Sequence, residues 1–309
     1  MEQIGMDELF DRRMTFPDPD AQQRLARLVG IDNEKDRLAK TLGILINPSE
    51  IQEWAKKFHD GAIHGLQMVF RSPPLVLIAG DVGTGKTELA ETIGDSVARS
   101  EQVEVILFPV SLSTRGMGLV GEMTHLISLA FDIAFGEAKK YKREKGQSTG
   151  GVILLVDEAD ALAQSREASQ MHHEDRAGVN AFIRGVDRLA ESKLPAAVIM
   201  CTNRLSAIDP AMRRRATETF QFSRPNPQQR ESVLAPALKE FGFNDQQISE
   251  LTKLTGSPTE GTPGFTYSDI TQRLIPTIIK DAYPSKPVTY DRARVLTEKM
   301  LPTPSFQDE

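Results

Sequence analysis

Four uninterrupted apolar runs mark the first two thirds of the chain: residues 75–79, 105–110, 152–156 and 197–201. None alternates with polar positions, and each is too short for a core helix. They predict strands buried on both faces of a parallel sheet. A fifth strand is expected at Glu218–Phe222. Between the first two runs, Leu89, Ile93 and Val97 recur four apart, which predicts a helix with one buried face. A second helical stretch around 121–145 closes on Lys139-Lys140-Tyr141-Lys142-Arg143-Glu144-Lys145, a solvated helix tail, and Gln147–Gly151 then interrupts the pattern. Further on the period changes. Ile248, Leu251 and Leu254 keep helical spacing, and Pro276 is expected to kink or end a helix. Strands alternating with helices, then helices alone, give an α/β domain followed by a small helical one. The boundaries read as a polar arm over 1–26 containing Pro17 and Pro19, a large domain over 27–223, and a helical domain over 224–309 reached through Ser223-Arg224-Pro225-Asn226-Pro227. Residues 302–309 read as a disordered tail. No internal repeat is visible.

Composition narrows the setting. No apolar run approaches the ~18–20 residues that span a bilayer. The stretch MEQIGMDELFDRR is charged and lacks the apolar centre of a secretion signal. A single cysteine, Cys201, allows no internal disulfide. A cytoplasmic protein without a membrane partner is the expectation. The formal net charge of −6 argues against general nucleic-acid binding.

The chemistry begins where the first run ends. Gly80-Asp81-Val82-Gly83-Thr84-Gly85-Lys86-Thr87 completes the phosphate-loop pattern, with a strand before it and a helix after it. Glycines let backbone N–H groups turn inward around phosphate oxygens, and the new helix adds the positive end of its dipole. Asp81, Val82, Gly83, Thr84, Gly85, Lys86, Thr87 and Glu88 are therefore the candidate nucleotide-binding run. Lys86 would reach the β- and γ-phosphates of ATP, and the Thr87 hydroxyl would bind Mg²⁺. The third run ends in Asp157-Glu158. Ligands of open α/β sheets bind at the carboxyl ends of strands, so Asp157 can hold Mg²⁺ and Glu158 can act as general base on the attacking water.

The fourth run leads into Thr202-Asn203-Arg204, and Asp209-Pro210-Ala211-Met212-Arg213-Arg214-Arg215 follows. With the phosphate loop and the Asp157-Glu158 strand end, these segments resemble the AAA+ ATPases over about residues 27–280, in the family's order. The resemblance implies a parallel phosphate-loop sheet flanked by helices, a small helical lid domain and a homo-hexameric ring. It makes Asn203 the sensor that orients the attacking water. It makes one arginine of 213–215 a finger on the neighbouring subunit's nucleotide. Arg215 is favoured and Arg214 is second, because the family's Arg-Pro-Gly-Arg spacing is missing. An always-charged planar guanidinium suits spread phosphoryl charge. Leu28-Val29-Gly30-Ile31-Asp32 resembles the segment that contacts adenine, through Gly30 and Ile31. Gly264-Phe265-Thr266-Tyr267-Ser268-Asp269-Ile270 resembles the lid motif Gly-Phe-Ser-Gly-Ala-Asp-Ile, with Tyr267 in place of its glycine. Arg273, one turn on, is read as a surface residue rather than a phosphate ligand.

The load of such an engine is gripped in the pore. Ser113–Glu122 occupies the family's pore-loop position, with Leu119-Val120-Gly121-Glu122 where an aromatic-Val-Gly-Glu is usual. Met117, Leu119 and Val120 are the candidate grip, and a second loop is expected within Gln164–Gly178. Asp157–Leu162, Arg166, Val179–Asp187 and the compact Asp209–Ala216 segment further resemble the HORMA-remodelling ATPases of the pachytene-checkpoint type. That resemblance implies a HORMA-domain client, threaded and converted or disassembled. Only about 26 residues precede the large domain, which resembles minimal bacterial forms that accompany a HORMA protein bound to a nucleotidyltransferase in phage defence. Two other classes stay open: a clamp-loader or helicase-loader type acting on nucleic-acid complexes, and an unfoldase for another client, such as a peptidase's regulatory particle.

Overall fold

A computed structural model describes residues 10, 12–59, 63–111, 122–143, 148–160, 173–257 and 262–305. The elements in chain order are β1 (Met14–Phe16), α1 (Pro19–Ala26), α2 (Asp32–Ile46), α3 (Pro48–His59), α4 (Leu66–Val69), β2 (Leu75–Gly80), α5 (Lys86–Glu101), β3 (Glu104–Ser111), α6 (Glu122–Tyr141), β4 (Gly150–Asp157), α7 (His173–Ser192), β5 (Ala196–Thr202), α8 (Pro210–Arg213), β6 (Ala216–Phe222), α9 (Pro227–Lys239), α10 (Asp245–Leu254), a π-helical turn (Asp269–Leu274), α11 (Ile275–Ala282) and α12 (Tyr290–Lys299).

The chain divides into two compact units. The first comprises the described residues of Met1–Arg27, Asn33–Ala79 and Thr87–Gln221; the second comprises those of Leu28–Asp32, Gly80–Lys86 and Phe222–Glu309. The sequence boundary at 223/224 lies near the division at 221/222. Periodicity gives no sign that two early segments group with the second unit. They do so because Gly30 and the phosphate loop make their contacts there.

The sheet runs in the order β1-β3-β4-β5-β2-β6. The four apolar runs form its parallel centre, with Leu75 opposite Val198, Val152 opposite Ala196 and Glu104 opposite Gly150. Leu77, Ile106, Val152 and Val198 are wholly buried, as strands covered on both faces must be. Leu89, Ile93 and Val97 on α5 are equally buried, so the four-residue spacing marks a true core face. On one side of the sheet, α6 and α7 pack around Phe131 and Phe182, whose rings meet edge to face at 5.4 Å.

Residues 14–26 are not a free arm. Met14, Thr15 and Phe16 add an antiparallel edge strand opposite Leu107, Ile106 and Val105. Phe16 is buried against Gly94, where a Cβ would stand 2.5 Å from its ring. Asp18 then caps α1 by accepting from Asp20 N at 3.1 Å. Three residues are too few to register as alternation, so local pattern had no means of finding this strand.

The second unit is helical around Leu234, Leu238, Phe243, Leu251, Ile270 and Leu274. Both α9 and α10 begin in reciprocal capping boxes, Asn226 with Gln229 and Asn244 with Gln247. Pro276 does not end the local helix. The wider π-helical turn Asp269–Leu274 precedes it, and Pro276 sits in the first turn of α11. A proline ring clashes with the carbonyl four residues back in a regular α-helix, and an enlarged turn relieves that clash. The segment around Thr303 is also ordered: its N–H and hydroxyl both donate to Asp269, at 3.0 and 2.7 Å. The disordered tail expected over 302–309 is therefore wrong at least as far as Thr303.

Candidate nucleotide site

The second unit holds the phosphate loop and the segments expected to contact the base. Gly80 has a φ of +150°, and a Cβ there would lie 2.1 Å from the carbonyl oxygen of Phe222, so glycine is mandatory. Gly83 has a φ of +73°, and its carbonyl accepts from Ser268 N at 3.1 Å. Lys86 is buried, and its Nζ donates to the carbonyls of Gly80 at 2.9 Å and Asp81 at 2.8 Å. The ammonium thus curls the loop around itself. The Thr84 hydroxyl donates to Asp81 O at 2.7 Å, and Val82 N donates to the Asp81 carboxylate at 2.8 Å. The other Asp81 oxygen accepts from Arg224 Nε at 2.7 Å, and Arg224 Nη1 donates to Gly264 O at 2.5 Å. Gly30 has a φ of +80° and gives its carbonyl to Gln229 Nε2 at 2.6 Å. A Cβ on Gly30 would meet the Tyr267 hydroxyl at 3.1 Å. Tyr267, which takes the place of a glycine in the lid motif, is therefore accommodated by a glycine 237 positions earlier. Ile31 beside it is buried. A glycine-rich loop around a buried cation fits a polyphosphate.

The first unit holds the candidate hydrolytic residues. Asp157 ends β4, level with Ser111 of β3. Glu158 follows in the left-handed region, φ +51°, with its side chain exposed and its N–H donating to Asp157 Oδ1 at 2.8 Å. Positive φ at a residue other than glycine is uncommon and is held here by its neighbours. Ala159 N donates to Cys201 O at 2.9 Å, tying the end of β4 to β5. Asp160 then gathers the end of β5. It accepts from Thr202 Oγ1 at 2.5 Å, from Asn203 N at 3.0 Å and Nδ2 at 3.3 Å, and from Arg204 N at 3.1 Å. Asp157, Glu158 and Asn203 are thereby brought together at the carboxyl edge of β4 and β5. Sequence reading assigned Asp160 no task. Its only local signal is a carboxylate three residues past the strand, and its partners lie more than forty residues away.

Thr87 is exposed at the start of α5. The Glu88 carboxylate is taken by Arg24, Nε to Oε1 and Nη2 to Oε2 both at 2.8 Å, so only the Glu88 backbone remains for phosphate. Arg215 donates from Nε and Nη2 to the two Asp187 oxygens at 2.7 and 3.0 Å. Its guanidinium is held further above its ordinary pKa, chiefly by that hydrogen bond. Arg213 and Arg214 are exposed. Arg273 is exposed, as expected of a surface residue, and pairs there with Asp269 at 2.5 Å. Met117, Leu119 and Val120, and residues 164–172 of the second loop, lie outside the described residues. A cavity of about 690 Å³ in the first unit is lined by Ile44, Pro48, Phe70, Leu194 and Pro195. It opens where β2 and β5 begin, the end opposite to that used by ligands of such sheets.

Residues 76–224 match the model of the AAA family, ATPases associated with various cellular activities. A curated relative, CD-NTase-associated protein 6 of Escherichia coli strain MS 115-1, is 60% identical over 304 residues, 98% of each chain. This chain belongs to the AAA family of ATPases, in the group of CD-NTase-associated protein 6. Membership carries nucleotide binding and ATP hydrolysis with it. Among solved structures, a chain of the E. coli MS115-1 HORMA:CdnC:Trip13 complex superposes with a TM-score of 0.91 at 59% identity, covering 98% of this AAA protein and 99% of that chain. Rhizobiales Trip13 follows with a TM-score of 0.75 at 47% identity, covering 95% and 99%. Among the described residues of the AAA chain, no helix is long and apolar enough to cross a membrane.

Proposed function

We propose that this AAA chain is a hexameric, cytoplasmic remodeller that spends ATP to thread part of a HORMA-domain client and release it from a bound nucleotidyltransferase, restraining a nucleotide signal in phage defence. The carrying observation is the match over nearly its whole length to a chain solved with HORMA and CdnC. The phosphate-loop run Gly80–Thr87, the Asp157-Glu158 strand end and Asn203 supply the residue types such hydrolysis needs. Lys86, the loop N–H groups, Gly30 and Ile31 bind the nucleotide. Thr87 and Asp157 offer the hard oxygen donors that suit Mg²⁺, which when bound neutralises phosphate charge. Asn203, fixed by Asp160, orients water, and Glu158 takes its proton as the oxygen attacks the γ-phosphorus to give ADP and phosphate. Arg215 of a neighbouring subunit steadies the charge that spreads over the transferring group.

Mixing the protein with a preformed HORMA–nucleotidyltransferase complex and ATP, then separating the products by size-exclusion chromatography, tests this. The wild type should split the complex. Glu158→Gln should bind ATP and the complex but leave it whole, with turnover down ~10²–10⁴-fold. A complex that survives active wild-type enzyme would dismiss the client. Normal turnover in the glutamine variant would dismiss the base.

A further inference from the structure

Three adjacent arginines end the segment after Asp209, and they differ in how they are held. Arg213 and Arg214 are exposed, and no partner for either is present among the described residues. Arg215 is gripped on three sides of its plane. Nε and Nη2 form a fork onto Asp187, and Nη1 donates to Ala211 O at 3.2 Å. A guanidinium has five N–H donors in a rigid plane, so three described bonds fix its orientation and leave two donors for another anion. The residue doing the gripping is itself stiff. Asp187 lies on the long helix α7 between Val186 and Leu189, both buried in the core, while its own side chain stays 42% exposed. Both side chains are partly open to solvent, 32% for Arg215 and 42% for Asp187, and what the two-pronged bond between them fixes is the orientation of the guanidinium plane.

We infer that Asp187 is the positioning residue of the arginine finger, holding Arg215 by a bidentate bond so that its remaining donors are oriented before a neighbouring subunit's nucleotide arrives. The inference rests on the proposal that Arg215 acts in trans. It also favours Arg215 among the three arginines on a physical ground: of the three, Arg215 is the one whose guanidinium is already oriented within its own chain. Pre-set donors need no reorganisation as charge develops, whereas a free arginine must be ordered at that moment. Asp187 touches neither nucleotide nor water in this scheme and acts only through Arg215.

The test isolates the donor role. Lys86→Ala subunits cannot use their own site but carry an intact finger; Arg215→Ala subunits are the reverse. Mixed rings, with composition checked by native mass spectrometry, should recover hydrolysis. Repeating the mixture with Lys86→Ala/Asp187→Asn subunits should recover ~10- to 100-fold less, the scale of a misplaced catalytic group. Restoring the carboxylate with Lys86→Ala/Asp187→Glu should regain part of it. In rings made wholly of Asp187→Asn, kcat should fall while KM for ATP, ADP affinity and melting temperature stay near wild type. Equal recovery from the Asp187→Asn donors would overturn the inference and leave the finger standing. Failure of the first mixture would remove the finger and the inference together. Faster turnover by Asp187→Asn would make the ion pair a restraint and would also overturn it.

Discussion

Asp160 organises the end of β5 around the candidate sensor Asn203. One carboxylate fixes the Thr202 hydroxyl, both nitrogens of Asn203 and the N–H of Arg204. Hydrogen bonds to a charged group are worth ~1.5–3 kcal/mol each, and losing the acceptor leaves those donors to water. Asp160→Ala should therefore cost ~1–3 kcal/mol in denaturant melts. It should also lower kcat more than it changes ATP affinity, because Asn203 loses its tether while the phosphate loop is untouched. Equal loss in kcat and in nucleotide affinity, measured by calorimetry on the purified variant, would assign Asp160 a merely structural role. Asp269 makes a separate prediction at this scale. Burial opposes its ionisation, yet donors from Thr266, Thr303 and Arg273 outweigh that and hold its pKa below the ordinary value. The folded carboxyl thus binds protons more weakly than the unfolded one. Its stabilisation is complete above the unfolded pKa of ~3.9 and is lost as pH falls through the lower folded value. Denaturant melts from pH 2 to 7 should show Asp269→Asn less stable at neutral pH and converging on wild type in acid. Two parallel curves would sink this.

At the scale of elements, the phosphate loop and the lid segment are built for each other. Gly83 hands its carbonyl to Ser268, and a Cβ on Gly83 would sit 2.7 Å from the Thr266 hydroxyl and 3.0 Å from Ser268 Cβ. That hydroxyl already accepts from Asp269 N at 3.0 Å. Gly83→Ala must therefore strain a positive φ and push the lid segment away, at a cost of order 1–3 kcal/mol. Nucleotide affinity should drop about 10-fold or more by the same energy, while the hydrolytic cluster around Asp160 stays intact. Fluorescent-nucleotide titration measures it, and unchanged affinity would show that the loop tolerates the shift.

For the molecule as a whole, the proposed threading predicts that the engine and its load are separable. Leu119→Ala with Val120→Ala leaves Lys86, Asp157 and Glu158 alone. Full burial of one such side chain is worth ~1.5–3 kcal/mol, and in the proposed ring several loops would grip one chain together. The double variant should keep basal ATP hydrolysis and lose client-stimulated hydrolysis and complex disassembly. Undiminished disassembly would remove the threading step; lost basal hydrolysis would mean that Leu119 packs inside the fold.

The parallel strands, the helix of Leu89, Ile93 and Val97, and the glycine-lysine loop were legible because each is decided by neighbours a few residues apart. Apolar runs must bury both faces, a four-residue period makes one helical face, and phosphate needs N–H groups that only a glycine-rich turn can aim inward. The chain by itself determined those parts, and with them the nucleotide chemistry. Tertiary structure alone decided the rest. The edge strand at Met14–Phe16 exists because β3 was free to pair with it, and the enlarged turn before Pro276 exists because the surrounding helical core keeps the chain helical through the proline. Asp160 serves Asn203 across 43 residues, and Asp187 holds Arg215 across 28. A carboxylate's role is set by which donors folding brings to it, and no local pattern records donors that arrive from another element.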